Sequence, residues 1–285
     1  MLPTLEELTR APEVDEAYRC LDAWFGVRGE LERRSVIDGW LAHPEGQSAE
    51  GIRVRYHLLA ARAPDGSLAA VRDCHTTFDP ASGVCVAYLA HVFVAPAYRR
   101  TGLAQRLREV PTELARRDLE AWGVGARELL LAAEQEPIRL DRDDTLTRLV
   151  AYGRAGFSAI DPDALPYLQP DFSDLEASGL PARPLPLLAV LRREGHPSEH
   201  TLPAGLAEAF VRNLYAVFST HCRATDLEAA RRFMLDRLAQ RSPGGGIRLL
   251  SLPRSLEDSA AIEPLLEARV LASGLGSPAA PSPRS

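Results

Sequence analysis

The chain has 285 residues, 46% hydrophobic and 25% charged, with a formal net charge of −6, which fits a soluble globular chain of one large domain or a core domain with an attachment. All 33 basic residues are arginine, which excludes chemistry that needs a lysine of this chain, such as a Schiff base, a biotinyl carrier or a P-loop phosphate site. A pI near 5.7 gives no basic footprint for nucleic acid. Four scattered cysteines (Cys20, Cys74, Cys85 and Cys222) lack C-x-x-C spacing, and neither an apolar leader nor a bilayer-length run is visible. The expectation is a cytoplasmic protein with reduced thiols and no nucleic-acid or membrane partner.

In chain order, Val14, Tyr18, Leu21 and Phe25 form one stripe of a predicted helix over 14–25, with Trp24 beside it. A second helix is predicted over 30–42, ended by His43-Pro44. Three runs follow, GIRVRYHLLAAR, SLAAVRDCHTTF and VCVAYLAHVFV, separated by turns at Pro64-Asp65-Gly66 and Asp79 to Gly83. They read as a strand meander, and the third, apolar on both faces, as a strand covered from both sides. A helix with Leu103, Leu107, Val110 and Leu114 on its buried face should run from Thr101 to Trp122. Gly123 should stop it, and Pro111 should kink or interrupt it.

ELLLAA (128–133) reads as a buried strand, 144–155 as a helix, Phe157 as the start of a short strand and LLAVLRR (187–193) as a last strand. Beyond His196, amphipathic helices are predicted over 206–221 and 225–240, the second opened by a Thr225/Glu228 capping box. They should hide Phe210, Leu214, Phe218 and Phe233 against the core or against a second copy in a homodimer. GGGIRLLSL reads as a short strand, and the Gly/Ser/Pro/Ala tail after Leu271 as disorder. The division is a core over 1–195, a mainly helical extension over 196–270 and a tail over 271–285. His196 and His200 are four apart, but Pro197 marks a linker there, and no metal is expected.

The chemistry concentrates in His91-Val-Phe-Val-Ala-Pro-Ala-Tyr-Arg-Arg-Thr-Gly-Leu-Ala104. A buried strand runs into a tight turn and a helix start, with Arg99, Gly102 and Ala104 in the form R-x-x-G-x-A. A glycine there clears the approach to the backbone, and the first free N–H groups of the helix, backed by its dipole, suit a diphosphate. Arg99 and Arg100 add charge at the rim.

This stretch resembles the cofactor motif of the GNAT superfamily of acyl-CoA-dependent N-acyltransferases. Tyr152-Gly-Arg-Ala-Gly156-Phe157 matches that family's Y-x-x-x-G-F, and the element order agrees over roughly residues 10–195. The resemblance implies an α/β fold: a GNAT-like mixed, mostly antiparallel central sheet flanked by helices, here with a helical C-terminal extension. It implies acetyl-CoA as co-substrate and a small-molecule or peptide amine as acceptor. The backbone of Val92, Phe93 and Val94 would hold the pantetheine arm. Arg99, Arg100, Thr101, Gly102, Leu103 and Ala104 would cradle the pyrophosphate, and Tyr152 would protonate the leaving thiolate.

For the base that takes the ammonium proton, the first candidate is Glu134, at a strand end where the family often keeps an acid. His91 is the second, with Asp73 and His75 as further candidates. Trp24, Phe25, Tyr88 and Tyr167 are candidate walls of the acceptor pocket. Two departures from the family pattern are Pro111 in the pyrophosphate helix and Thr145 as the polar residue at the start of the Tyr152 helix. A non-catalytic acyl-CoA sensor, or an interaction protein that reuses the fold as a scaffold, would share the same motif.

Overall fold

The computed structural model describes residues 3–26, 29–172, 181–197, 199–242 and 245–272. The chain divides into two compact units: residues 1–131, 172–181 and 212–224, and residues 132–171, 182–211 and 225–285. The fold is a mixed, mostly antiparallel central sheet flanked by helices, with helices in the C-terminal part, the architecture expected from the sequence.

In the first unit β1 (Thr4–Glu7), β3 (Ile52–Arg62), β4 (Leu68–Asp79) and β5 (Val84–Val94) lie side by side, each pair antiparallel, and β2 (Gln47–Ala49) pairs with β3. The meander of β3, β4 and β5 follows the sequence reading closely. α1 (Glu13–Trp24) and α2 (Arg34–Leu41) precede it, and α3 (Leu103–Ala121) follows it. One face of the sheet takes α3, with Leu103 and Leu107 on Ala61, Ala69 and Ala70, and Leu114 on Leu59 and Cys74. The opposite face takes α2, whose Trp40 ring lies 5.1 Å from Tyr56 and edge-on to His75 at 4.6 Å.

β6 (Glu128–Gln135) leaves the first unit and enters the second. There α4 (Asp143–Arg154) precedes β7 (Ser158–Ile160), which is paired antiparallel by β10 (Leu188–Arg193) on one edge and β12 (Gly246–Ser251) on the other. β8 (Leu168–Gln169) pairs with β9 (Leu185–Pro186), and β11 (Thr201–Pro203) with β12. Helices α5 (Ala204–Phe218), α6 (Ala224–Arg241), α7 (Ser259–Ile262) and α8 (Glu267–Ala272) are the remaining helices of more than three residues among the described residues. The tail expected to be disordered falls on 273–285, outside the described residues, while Leu271 and Ala272 end α8.

Several expectations change. α3 runs through Pro111 without a break. A proline there removes one i→i−4 bond, and its ring is buried together with Leu107 and Leu114 on the face that α3 turns to the sheet. α1 buries Val14, Ala17 and Leu21, so Tyr18 and Phe25 are only half-buried and Trp24 is 49% exposed. Phe233, expected to be hidden, is 39% exposed. β1 was unforeseen because Thr-Leu-Glu-Glu carries no apolar alternation to mark a strand. Its register comes from ion pairs with β3 instead: Glu6 takes Arg62 Nε at 2.6 Å and Glu7 takes His57 Nδ1 at 2.6 Å.

His57 is the centre of that attachment. Fully buried on β3, it meets Glu7 of β1 through Nδ1 and Asp118 of α3 through Nε2 at 2.7 Å. Arg55 and Arg117 complete the network on Asp118 and Glu7, at 2.9 Å each. Only the imidazolium has two N–H donors for two carboxylates. Burial opposes its charge, but the hydrogen bonds and field of Asp118 and Glu7 prevail and raise the pKa of His57. Burial likewise opposes ionisation of Glu7, and His57 and Arg117 hold it down to about 2.

A raised histidine pKa gives stability that is complete below its ordinary value of 6.5 and lost as pH rises through the raised one. A depressed carboxylate gives stability that is complete above its ordinary 4.5 and lost as pH falls toward 2. The network therefore stabilises most between these two ordinary values. His57→Gln should lower unfolding free energy by about 3 kcal/mol in that window, and the difference from wild type should shrink at alkaline pH, as read by urea unfolding across pH.

Candidate active site

β5 carries one residue more than β4 at its functional end. Arg72 pairs with Val92 and Cys74 with Leu89, so Asp73 faces both Ala90 and His91. Asp73 is fully buried, and its Oδ1 accepts the backbone N–H of His91 at 2.7 Å. The His91 ring donates from Nδ1 to the same carboxylate at 3.1 Å and from Nε2 to the Glu30 carbonyl at 2.8 Å. Burial opposes the imidazolium, but the Asp73 charge outweighs it and lifts His91 to about 9, while the His91 charge holds Asp73 below the ordinary carboxylate range against its own burial.

An imidazolium that donates at both nitrogens has no lone pair for a substrate proton, so the geometry does not support His91 as the base. It does not support Asp73 either, being sealed and committed to His91. His75 is fully buried among Trp40, Tyr56 and Tyr88, with neither ring nitrogen bonded, and burial drives it down to about 3.

Beyond Val94 the chain makes a 3-10 turn at Pro96–Tyr98, and Thr101 Oγ1 donates to the Tyr98 carbonyl at 2.7 Å. Arg99 returns its Nε to the Val94 carbonyl at 3.3 Å. Arg100 (φ +64°) and Gly102 (φ +89°) are both left-handed, the backbone from which anion-binding concavities are built. Gly102 is the N-cap of α3, and no side chain caps the helix. The first helical bond runs from Arg106 N–H to the Gly102 carbonyl at 3.1 Å, so the N–H groups of Leu103, Ala104 and Gln105 have no acceptor within the helix. Nothing lies within 4 Å of a Cβ built on Gly102. The loop thus has the form expected of a diphosphate cradle, with Leu103 buried beneath it against Ala69 and Ala70.

In the second unit, Tyr152 sits at the end of α4 for a local reason. Gly156 is left-handed (φ +80°), its N–H meets the Gly153 carbonyl at 3.1 Å, and the Phe157 N–H meets the Tyr152 carbonyl at 3.1 Å. This is a Schellman closure, whose flanking contact is the Tyr152 ring edge-on to Phe157 at 5.0 Å. Tyr-x-x-x-Gly-Phe therefore encodes a helix end that fixes one tyrosine. Sequence reading missed Gly153: a Cβ there would meet the carbonyl oxygens of Pro253 and of Leu252, the latter at 2.9 Å.

Glu134, half-buried at the end of β6, receives the Tyr167 hydroxyl at 2.5 Å and Gln169 Nε2 at 2.6 Å, one donor on each oxygen. No local pattern marks this clasp, because its partners come from the Pro-punctuated stretch after β7. Thr145 Oγ1 donates to the Arg142 carbonyl at 2.9 Å and accepts the Arg139 N–H at 3.1 Å, so it closes the turn before α4. Of the candidate pocket walls, Trp24 lies tilted at 5.4 Å from Phe93 and Phe25 lies 4.9 Å from His91, whereas Tyr88 and Tyr167 are buried. Among the described residues no group of three or more His, Cys, Asp or Glu side chains could hold a metal ion, and no helix is long and apolar enough to cross a membrane.

No protein-family model and no curated protein matches the chain. Solved structures that align with it include nourseothricin acetyltransferase, 22% identical over 48% of this chain and 65% of its own, with a TM-score of 0.28. An acetyltransferase of the GNAT family from Staphylococcus aureus is 11% identical over 67% of this chain and 98% of its own, with a TM-score of 0.39. Arabidopsis thaliana Naa50, solved with the bisubstrate analogue CoA-Ac-MVNAL, is 10% identical over 66% and 97%, with a TM-score of 0.40. The chain spans less than two thirds of the length of nourseothricin acetyltransferase. The element order and the strand–loop–helix segment are those that the resemblance implies.

Gly153→Ala should cost about 1–3 kcal/mol in urea unfolding, because the new methyl meets backbone carbonyls that cannot swing aside.

Proposed function

We propose that the chain is an N-acetyltransferase that moves the acetyl group of acetyl-CoA directly to a primary amine. The observation that carries this reading is the end of β5 feeding a loop with left-handed Arg100 and Gly102, open in front of Gly102, at the uncapped N-terminus of α3. The pyrophosphate would take the amides of the Arg99–Ala104 segment, with Arg99 and Arg100 at its rim, and the pantetheine arm would lie along Val92, Phe93 and Val94. The residues present suit the co-substrate, since a diphosphate needs several N–H donors and those of Leu103, Ala104 and Gln105 have no acceptor within the helix.

In this reading the amine attacks the thioester carbonyl, the C–S bond breaks and the thiolate leaves. Glu134 takes the ammonium proton, directly or through water, and Tyr152 gives its phenolic proton to the sulfur. Glu134 is the preferred base because its carboxylate is half-buried and held by neutral donors, whereas His91 and Asp73 are spent on each other. The remainder of the catalytic gain is positioning. The acceptor is a small-molecule or peptide amine, the chain acts in the cytoplasm, and residues 196–270 form an attachment to the 1–195 core.

Calorimetric titration with acetyl-CoA tests the cradle. Wild type should bind at micromolar levels, Gly102→Glu should lose binding, and Gly102→Asn, which tolerates the left-handed backbone, should fall between. No binding by wild type would remove the proposal. In a screen of amines, Glu134→Gln should cut turnover by about 10²–10⁴-fold with acetyl-CoA affinity unchanged; an unaffected rate would exclude Glu134 as the base.

A further inference from the structure

The extra residue in β5 reverses the phase of everything after it. Before it, Cys85, Ala87 and Leu89 pair with Phe78, Thr76 and Cys74, and Cys74 packs beneath Leu114 of α3, so the odd-numbered side chains of β5 face α3. After it, Val92 and Val94 pair with Arg72 and Ala70 and pack with Leu103 and Leu107 of α3. The even-numbered side chains now face α3, and Phe93 turns the other way onto Trp24. An insertion of one residue has this effect because side chains alternate with period two.

The backbone changes phase with the side chains. Ala95 N–H bonds to the Ala69 carbonyl at 2.9 Å. In an antiparallel ladder, pairs that exchange hydrogen bonds alternate with pairs that do not. Phe93 therefore turns its N–H and C=O toward β4, and Val92 and Val94 turn theirs away from it. Without the extra residue, Phe93 would turn its backbone N–H and C=O away from β4, and its ring would be driven against Leu103 and Leu107 of α3.

One side chain holds the extra residue in place. The bulge takes the His91 N–H out of the ladder, and Asp73, the residue opposite, accepts it at 2.7 Å. The same carboxylate grips the His91 ring, the ring reaches the Glu30 carbonyl, and the Tyr56 hydroxyl reaches Asp73 Oδ2 at 3.4 Å. A slip by one residue would leave a buried carboxylate and a buried N–H unpaired, so this register outweighs its neighbours.

We propose that Asp73 is a positioning residue for the co-substrate: by clamping the bulge at Ala90–His91 it sets which backbone groups of Val92–Val94 are offered to acetyl-CoA. This rests on the acetyl-CoA reading above. The clamp acts through the backbone, so a side chain that still offers an oxygen to the His91 amide should preserve it.

The test compares wild type, Asp73→Leu and Asp73→Asn as full chains, by acetyl-CoA calorimetry, urea unfolding and amide hydrogen exchange at residues 91–94. Asp73→Leu should weaken acetyl-CoA by about tenfold or more and speed exchange at His91 through Val94. Asp73→Asn should stay within about threefold of wild type in both. A side chain that merely stabilised the fold would lower the unfolding midpoint in both variants and leave the affinity of the folded protein unchanged.

A cooperatively folded Asp73→Leu that binds like wild type would overturn the proposal. If Asp73→Leu does not fold, Asp73→Asn decides: a tenfold loss overturns it, and retained affinity with protected 91–94 amides supports it. If wild type fails to bind acetyl-CoA, the acetyltransferase reading falls, and exchange still judges the clamp, since unchanged rates at 91–94 in Asp73→Leu would refute it.

Discussion

β5 holds one residue too many for its partner strand, and much of the first unit depends on where that residue is kept. Because it sits at Ala90–His91, Val92 and Val94 can close over Leu103 and Leu107, which seats the first turn of α3 against Ala69 and Ala70. That seating lets Gly102 stand at the helix start with open space before it. The loop owes its shape to its own left-handed residues, and its place to a buried carboxylate eighteen residues upstream of His91 in the chain. Strand, helix and loop thus share one origin of register, and one buried side chain can govern all three.

The charge arrangement follows from an all-arginine basic complement. Arg62 reaches Glu6 of β1 at 2.6 Å and Glu16 of α1 at 2.7 Å, so one fork ties two elements to β3. Arg55 and His57 meet the buried Asp118 together, and Arg117 returns to Glu7. A planar guanidinium with five donors in fixed geometry can serve two carboxylates at once, which a lysine does with less directional control. The edge strand β1, whose Leu5 alone packs on the core, is held largely by its ladder with β3 and by ionic contacts, whereas β3, β4 and β5 are held by burial.

What the sequence made legible had strong local signals. Alternation and turn chemistry marked β3, β4 and β5, and the 3.6 period marked α3. Gly123 (φ +64°) closes that helix as expected, with the Val124 N–H on the Leu119 carbonyl at 3.0 Å. The Gly102 loop and the Tyr152 helix end were also readable, since each is encoded within six residues. What stayed hidden depends on partners distant in the chain. Pro111 looks like a helix breaker until its burial on the face toward the sheet is known. His91 looks like a base until Asp73 and the Glu30 carbonyl are seen to occupy it, and the clasp of Tyr167 and Gln169 on Glu134 has no local pattern at all.

The close approach at Gly153 bears on how this protein could have been assembled or trimmed. The backbone of Leu252 and Pro253 lies against α4 so tightly that a methyl group does not fit, and the adjoining β12 occupies one edge of β7. A chain ended near residue 195 would bare that edge, with its unpaired N–H and C=O groups, next to a helix stripped of its cover. Such a fragment would recruit strands from other molecules instead of remaining a smaller version of the protein. The segment that lies outside the family motifs is thus what keeps the motif-bearing part from becoming an adhesive surface.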